Sequence, residues 1–500
     1  MIARRIPVRA SAAAVAVALG ALASGTATLP APFQLPRPAV AVVFLVLAAL
    51  PMVLERWEVA LGGFLVWLLV EDLVRKAAGN DLSVYFVKDV LFMVLVAALA
   101  LDPRSRGAWR RAAGGTRIPL YLLLTWAVVR SIPLLAEDWR LPMLALRLDF
   151  LYLPLAAVGY IIARRADSLR RWLERLSIFL AAATSVGIVQ AVVGPGFLAP
   201  DEPTPGLGLL VTVRGLPGSD SIYRPSGTFV SSGRFGALAV LALAIALGAV
   251  LAARRRSKAG LALSTLAAGG GVWISGGRAG FVVGAGLVAV AALAPLWRKG
   301  RGELGRSVVV GSLAVVLLMV LAAMLPSLFS SRLSWYSATL DPRSPESEWV
   351  SRWTAHAQDT VRGIGLGGIF GQGTGQESLG KQYLSEDPDH SPAGLYQVEA
   401  GFGAVAVEWG LVGLSLWLGW TVAWIWRQWR AVRAARDGPL GAAGMLLFAW
   451  IVLLLFVQFF GGLATFQNYL VNAYFWLLSG MIFALPEAAA AARLEAGANE

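Results

Sequence analysis

Gln397-Val398-Glu399-Ala400-Gly401-Phe402 carries the chain out of a polar region into apolar sequence, and Glu408-Trp409-Gly410-Leu411-Val412-Gly413 continues the apolar run. Upstream, Ser307 to Pro326 forms another long apolar segment. Between the two, from about Phe329, lie Trp349, Arg352, Trp353 and His356, then the glycine run Gly363-Ile364-Gly365-Leu366-Gly367-Gly368. Apolar stretches of membrane-crossing length on either side of a polar stretch decide the fold class: the chain passes through a lipid bilayer and returns. A polar connection of this length between spans is usually functional. It is also where acids, bases and aromatic side chains gather.

Composition points the same way. Apolar residues make up 57% of the 500 residues and charged ones 15%, and mean hydropathy is +0.66. A soluble domain cannot hide that share, so the class is an all-α polytopic integral membrane protein. A first segment, Ser11 to Leu29, follows Arg4, Arg5 and Arg9. It reads either as a signal peptide ending near Ala23-Ser24-Gly25-Thr26-Ala27 or as an uncleaved span. Further apolar segments are centred near residues 46, 65, 93, 127, 154, 183, 242, 267, 288, 317, 418, 450 and 477. The expectation is roughly 12–14 transmembrane helices, with a large extracytoplasmic loop between late helices. The N-terminal helices take residues 1–193, a first extracytoplasmic loop 194–232, the central helices 233–327, the large loop 328–396, the C-terminal helices 397–486, and a cytoplasmic tail 487–500.

Orientation follows from the basic loops. Clusters at Arg104–Arg117, Arg164–Arg175, Arg254–Lys258, Arg298–Arg306 and Arg427–Arg436 alternate with the two long loops. With Arg4, Arg5, Arg9, Arg56 and Arg493 they hold 27 of the 43 Lys and Arg. That side is cytoplasmic, as are both termini, and both long loops face outward. Most of the net charge of +13 is therefore a topology signal and an attraction to membrane lipids rather than a nucleic-acid footprint. The chain has no cysteine and two histidines, His356 and His390, so no metal centre is expected. No Walker-type phosphate loop or Rossmann fingerprint is present, and no cofactor is expected.

Three arginines stand on the outer side beside small or polar neighbours. Arg224 lies in Tyr223-Arg224-Pro225-Ser226-Gly227-Thr228-Phe229, just before a span, and Arg278 in the turn Ser275-Gly276-Gly277-Arg278-Ala279-Gly280. Arg352 opens an amphipathic helix over about Ser347 to Val361. On it Arg352, His356 and Asp359 share one face, with Trp349, Trp353 and Thr360 close by. Guanidinium forks suit bidentate phosphate binding, whereas a lone outer arginine also fits lipid snorkelling. Glu399 begins a span at the outer boundary, which makes it either a functional carboxylate or one that favours a helix start. Glu399 and Glu408 do not form a glycosidase pair. On a continuous helix nine residues put them on opposite faces, about 13 Å apart along the axis. The glycines at 363–375 read as a flexible turn, with phosphate binding by backbone amides of Gly365 and Gly367 as the alternative. Lys88-Asp89 and Arg147-Asp149 read as pairs within or at the edges of helices, and His390 as a solvated loop residue.

These pieces resemble, in order, the O-antigen ligase and polysaccharide polymerase family of bacterial membrane glycosyltransferases. Arg224-Pro225-Ser226-Gly227-Thr228-Phe229 is similar to its Arg-x-x-Gly-Thr-Phe stretch, and Ser275-Gly276-Gly277-Arg278-Ala279-Gly280 to its Ser-Arg-Gly turn. Arg352-Trp353 followed by Gly363-Ile364-Gly365-Leu366-Gly367 resembles its Arg…Trp…Gly-Val-Gly-x-Gly loop, and Glu408-Trp409-Gly410-Leu411-Val412-Gly413 its Glu-x-Gly-Leu-x-Gly helix. The resemblance covers about residues 220–425. Nine residues before the Glu-x-Gly the family carries a His-Asn pair, and this chain has Glu399. The resemblance implies an enzyme of the bacterial cytoplasmic (inner) membrane that polymerises undecaprenyl-diphosphate-linked oligosaccharide repeat units into an exopolysaccharide or O-antigen. The alternatives are a ligase acting on lipid A core or protein, and a lipid-linked oligosaccharide flippase. Its implied partners are the lipid-linked glycan, membrane lipids and other polysaccharide assembly proteins. Arg224, Arg278 and Arg352 would bind and neutralise the diphosphate without a metal, and Glu399, or else His356, would serve as the base.

Overall fold

The computed structural model describes residues 57–77, 82–194, 196–198, 213–214, 222–253, 258–294, 323–341, 343, 349–381 and 396–497, with isolated positions at 312, 316 and 319. The first segment, the apolar stretch near 46, most of Ser307 to Pro326 and His390 lie outside these residues. The longer helices are α1 (Trp57–Ala77), α2 (Leu82–Leu101), α3 (Arg117–Val129), α4 (Arg140–Phe150), α5 (Leu155–Ala163), α6 (Ala166–Val193), α7 (Ser232–Ala252), α8 (Lys258–Ile274), α9 (Arg278–Leu293), α10 (Pro326–Leu340), α11 (Trp349–Gly367), α12 (Gly401–Ala434), α13 (Pro439–Val452), α14 (Tyr469–Phe483) and α15 (Leu485–Gly497). A ladder of two short strands, β1 (Val213–Arg214) and β2 (Ile222–Tyr223), pairs antiparallel.

The chain forms two compact units. In the smaller, α1 buries Leu61, Phe64, Leu65, Leu68 and Leu69. This spacing of three and four lays one apolar stripe along a helix, and α1 packs it against α2. The stripe continues into Asp72 and Arg75, which are buried too. Lys88 of α2 is fully buried, with its Nζ 2.7 Å from Glu71 Oε1 and 3.2 Å from the centroid of the Tyr85 ring. Its partner thus comes from the neighbouring helix rather than from the adjacent Asp89. Removing either member would strand the other in an apolar helix pair, at a cost of about 3–5 kcal/mol.

In the larger unit α7 is apolar all round, and every residue from Leu238 to Ala249 is buried. Such a helix must be surrounded, and α6, α8, α9 and α13 surround it. Where α5 crosses α14, a Cβ on Gly159 would lie 2.0 Å from the Leu477 carbonyl oxygen, and one on Gly480 2.0 Å from that of Ala156. Only glycine admits this approach, the small-residue packing by which membrane helices gain van der Waals contact. Trp409, Trp417, Trp420 and Trp424 run buried along α12, with Trp417 stacked on Phe459 at 4.9 Å and Trp424 edge-on to Trp476 at 5.4 Å.

Helix α12 is broken at Gly410, whose φ of 69° and ψ of −171° are not helical. The freed backbone groups are taken up by the segment after α11. Leu411 N donates to Gly368 O and Val412 N to Ile369 O, while Gln372 N donates to Val407 O and Gly373 N to Glu408 O. An interrupted helix in an apolar setting needs such substitutes.

Among the described residues seven helical stretches are long and apolar enough to cross a membrane, or eight if the bent pair α14–α15 counts as one. The described residues of this all-α membrane protein therefore hold seven or eight full-length spans, against 12–14 expected for the whole chain. The apolar segments near 267 and 288 form helices, but with 16–17 residues they rise about 25 Å against a hydrocarbon core of about 30 Å. The stretch expected as a large loop is, where described, mostly helical through α10 and α11. The glycine run is corrected as well. Gly363, Gly365 and Gly367 belong to α11, and a Cβ on Gly363 would meet Gly403 O at 2.4 Å and one on Gly367 would meet Ala406 O at 1.8 Å. Gly363 and Gly367 let α11 lie against α12, and the turn begins only at Gly368, with a φ of 58°.

Candidate active site

Arg224 follows β2, and its Nε donates to the Ser275 carbonyl oxygen at 3.0 Å. The next residues are fixed by Gln190 of α6, whose Oε1 accepts from Ser226 N at 2.9 Å and Gly227 N at 2.7 Å. Arg278 is the first residue of α9, entered through Gly276 at a φ of 63° and Gly277. Ser275 Oγ accepts from Gly277 N at 3.2 Å, closing the turn. The Arg278 guanidinium lies 6.0 Å from the Trp335 ring centroid, within cation–π range.

Arg352, Trp353 and His356 come from α11. Trp353 stacks on Phe460 at 5.2 Å, and the His356 ring meets the same phenyl ring edge-on at 5.8 Å. His356 Nδ1 has no hydrogen-bond partner among the described residues. Asp359, one turn further along, accepts from Glu399 N at 3.0 Å and so ties the start of α12 to α11. Ala400 caps α12, which places Glu399 just outside the helix, with its side chain exposed.

All five of these side chains line one cavity of about 520 Å³: Arg224, Arg278, Arg352, His356 and Glu399. They derive from four separate stretches that span 175 positions of sequence. Ser232 and Gly233 at the start of α7 and Arg278, Ala279 and Gly280 at the start of α9 line it too. Two helix N-termini therefore add their partial positive charge to that of the three arginines. Trp353, Gln458, Phe460 and Thr465 line it as well, and Glu399 is the acid among the lining residues. The arrangement suits an extended anion with a polar group beside it. No family model matches this chain, and no curated protein does.

Gly365 and Gly367, expected as alternative phosphate donors, do not line the cavity. Their amides are spent within α11, and Gly367 packs on Ala406. Glu408 is separate from Glu399. It is buried and its Oε1 accepts from Glu377 N at 2.9 Å. Burial raises the pKa of Glu377 itself, although its carboxylate accepts from Gln397 N at 3.0 Å. This acid pair fastens the 371–381 segment to α12 and does not reach the cavity. Glu399 is exposed at the cavity edge. Among the described residues no group of three or more His, Asp or Glu is placed to hold a metal ion.

Sequence reasoning missed Gln458, Phe460 and Thr465, which sit just past the apolar run of α13 and read as its continuation. The signal was present in Phe459-Phe460-Gly461-Gly462, where two glycines end a span. It missed Arg332 as well. That guanidinium is 1% exposed and donates to the Tyr223 carbonyl oxygen, beside the aromatic cluster of Trp273, Phe281 and Tyr336. Burial pushes the Tyr336 hydroxyl up to about 12.

Proposed function

We propose that this cavity is the active site of a membrane glycosyltransferase that polymerises polyprenyl-diphosphate-linked oligosaccharide repeat units at the outer face of the bacterial cytoplasmic membrane. With the shorter apolar helices and the segments outside the described residues counted, the chain crosses the membrane 12–14 times. The observation that carries this reading is the meeting of Arg224, Arg278, Arg352, His356 and Glu399 in one cavity. Separate lipid-snorkelling arginines have no reason to converge on one carboxylate and one imidazole.

In the reaction, the acceptor sugar hydroxyl attacks the anomeric carbon of the donor. The new C–O bond forms as the bond to the diphosphate oxygen breaks, and the electron pair leaves with polyprenyl diphosphate. Arg224, Arg278 and Arg352 neutralise that departing charge, the electrostatic contribution that usually dominates catalysis of this kind. Glu399 accepts the hydroxyl proton. His356, which lines the same cavity with Nδ1 unpartnered among the described residues, is the other candidate base.

One observation favours a second reading, a flippase for the same lipid-linked glycan. Transporters use interrupted helices, and α12 is interrupted at Gly410. The groups freed there are occupied by residues 368–373 and do not line the cavity described above, which supports the enzyme.

Orientation is checked with a fluorescent reporter that matures only in the cytoplasm, fused to a chain ending at Gly375. The expected result is no signal, since the basic loops place this stretch outside. A bright fusion would put the site on the wrong side of the membrane for polymer assembly.

A further inference from the structure

Arg332 differs from the three arginines that line the cavity. Arg224 and Arg278 line the cavity, and Arg352 reaches it from α11. Arg332 of α10 stands behind the turn and is 1% exposed. Its Nη2 donates to the carbonyl oxygen of Tyr223, the residue before Arg224. Its Nε and Nη1 have no hydrogen-bond partner among the described residues, and no carboxylate among them pairs with it. Burial lowers its pKa, opposed by Tyr336. A guanidinium nonetheless stays protonated in proteins.

A buried charge left with two unsatisfied N–H groups is costly. Geometry shows where compensation would come from. Nη1 lies 3.0 Å from the point a Cβ would occupy on Gly276, and Arg224 Cγ lies 3.1 Å from the same point. Trp335, one turn along α10, donates from Nε1 to Gly276 O at 3.2 Å. The cavity wall at Gly276 is thus one backbone layer from Arg332.

We propose that Arg332 is a positioning residue for a diphosphate-class anion. Its buried charge is compensated by the bound ligand across the Gly276 turn, and its bond to Tyr223 sets Arg224 against that ligand. This rests on the reading of the cavity as a diphosphate site. Its signature is a split between stability and binding. A residue that only holds the fold loses stability when replaced, whereas an uncompensated buried charge destabilises the empty protein.

The test uses the purified full chain in detergent, with inorganic pyrophosphate as the probe. Affinity is measured by calorimetry, and melting temperature is measured without the probe. Arg332→Met is expected to weaken pyrophosphate binding at least tenfold while the empty protein melts no lower than wild type. Arg332→Lys, which keeps the charge, is expected to recover most of the affinity. Unaltered binding by Arg332→Met overturns the proposal. So does a lower melting temperature in Arg332→Met, or an Arg332→Lys protein that melts like wild type but binds no better than Arg332→Met. Should Arg332→Met not fold, that result itself makes Arg332 a fold-holding residue and overturns the proposal. Wild type that binds no pyrophosphate refutes the diphosphate reading of the cavity itself, a failure the variants alone cannot produce.

Discussion

Glu399→Gln lowers turnover of a lipid-linked donor by about 10²–10⁴ while donor binding is retained, the size of effect a general base contributes. Amide for carboxylate keeps volume and hydrogen-bonding shape, so a loss of this size reports the lost proton acceptor. Two features separate this outcome from a mere helix-start effect. Ala400, not Glu399, is the cap of α12, and the backbone N–H of Glu399 is already held by Asp359. The substitution therefore leaves α12 in place. Glu399→His restores an imidazole at the edge of the same cavity and recovers part of the loss. His356→Ala is the necessary comparison, because its ring faces the cavity and packs edge-on to Phe460. If His356→Ala abolishes turnover and Glu399→Gln leaves it intact, the imidazole on α11 is the base.

Arg278→Lys is the second large effect, a loss of about 10² in turnover with expression unchanged. Losing one well-placed donor to a developing charge costs about 10²–10³. Lysine keeps the charge but not the planar two-pronged fork, so the loss falls near the lower end. Arg278 is half-buried at the start of α9, where the helix dipole adds to its own charge. Arg352 is exposed on α11, and solvent screens it more. Arg352→Lys therefore costs less than Arg278→Lys. Wild-type levels of polymer in cells carrying either variant would return that arginine to lipid anchoring.

Much of this was legible in the sequence, and the limits have physical causes. Apolar length located the helices, because a bilayer demands a run of apolar residues wherever the chain crosses. Arg224, Arg278, Arg352, His356 and Glu399 stood out because charge at a membrane boundary is costly and conspicuous. That they share one cavity was not readable, since it depends on how α7, α9, α11 and α13 pack. The glycine run misled for a related reason. Glycine serves a turn, a phosphate site or a close helix crossing alike, and only Gly403 and Ala406 on the partner helix decide for the last. Arg332 escaped because an arginine inside Ser331-Arg332-Leu333-Ser334-Trp335 looks like any boundary arginine until its burial is known. The break at Gly410 was hidden in the same way. Its neighbours are apolar, and the residues that satisfy its backbone lie some forty positions earlier.

The most direct test reconstitutes the purified chain in vesicles with a polyprenyl-diphosphate-linked oligosaccharide and follows glycan length in the presence of EDTA. With three guanidinium groups neutralising the leaving diphosphate, glycans lengthen by whole repeat units and free polyprenyl diphosphate accumulates in chelator, at a rate that Arg278→Lys lowers. Movement of the donor between leaflets with no change in glycan length would contradict the account and make the chain a transporter. Activity that EDTA abolishes and Mg²⁺ or Mn²⁺ restores would contradict the arginine-based mechanism.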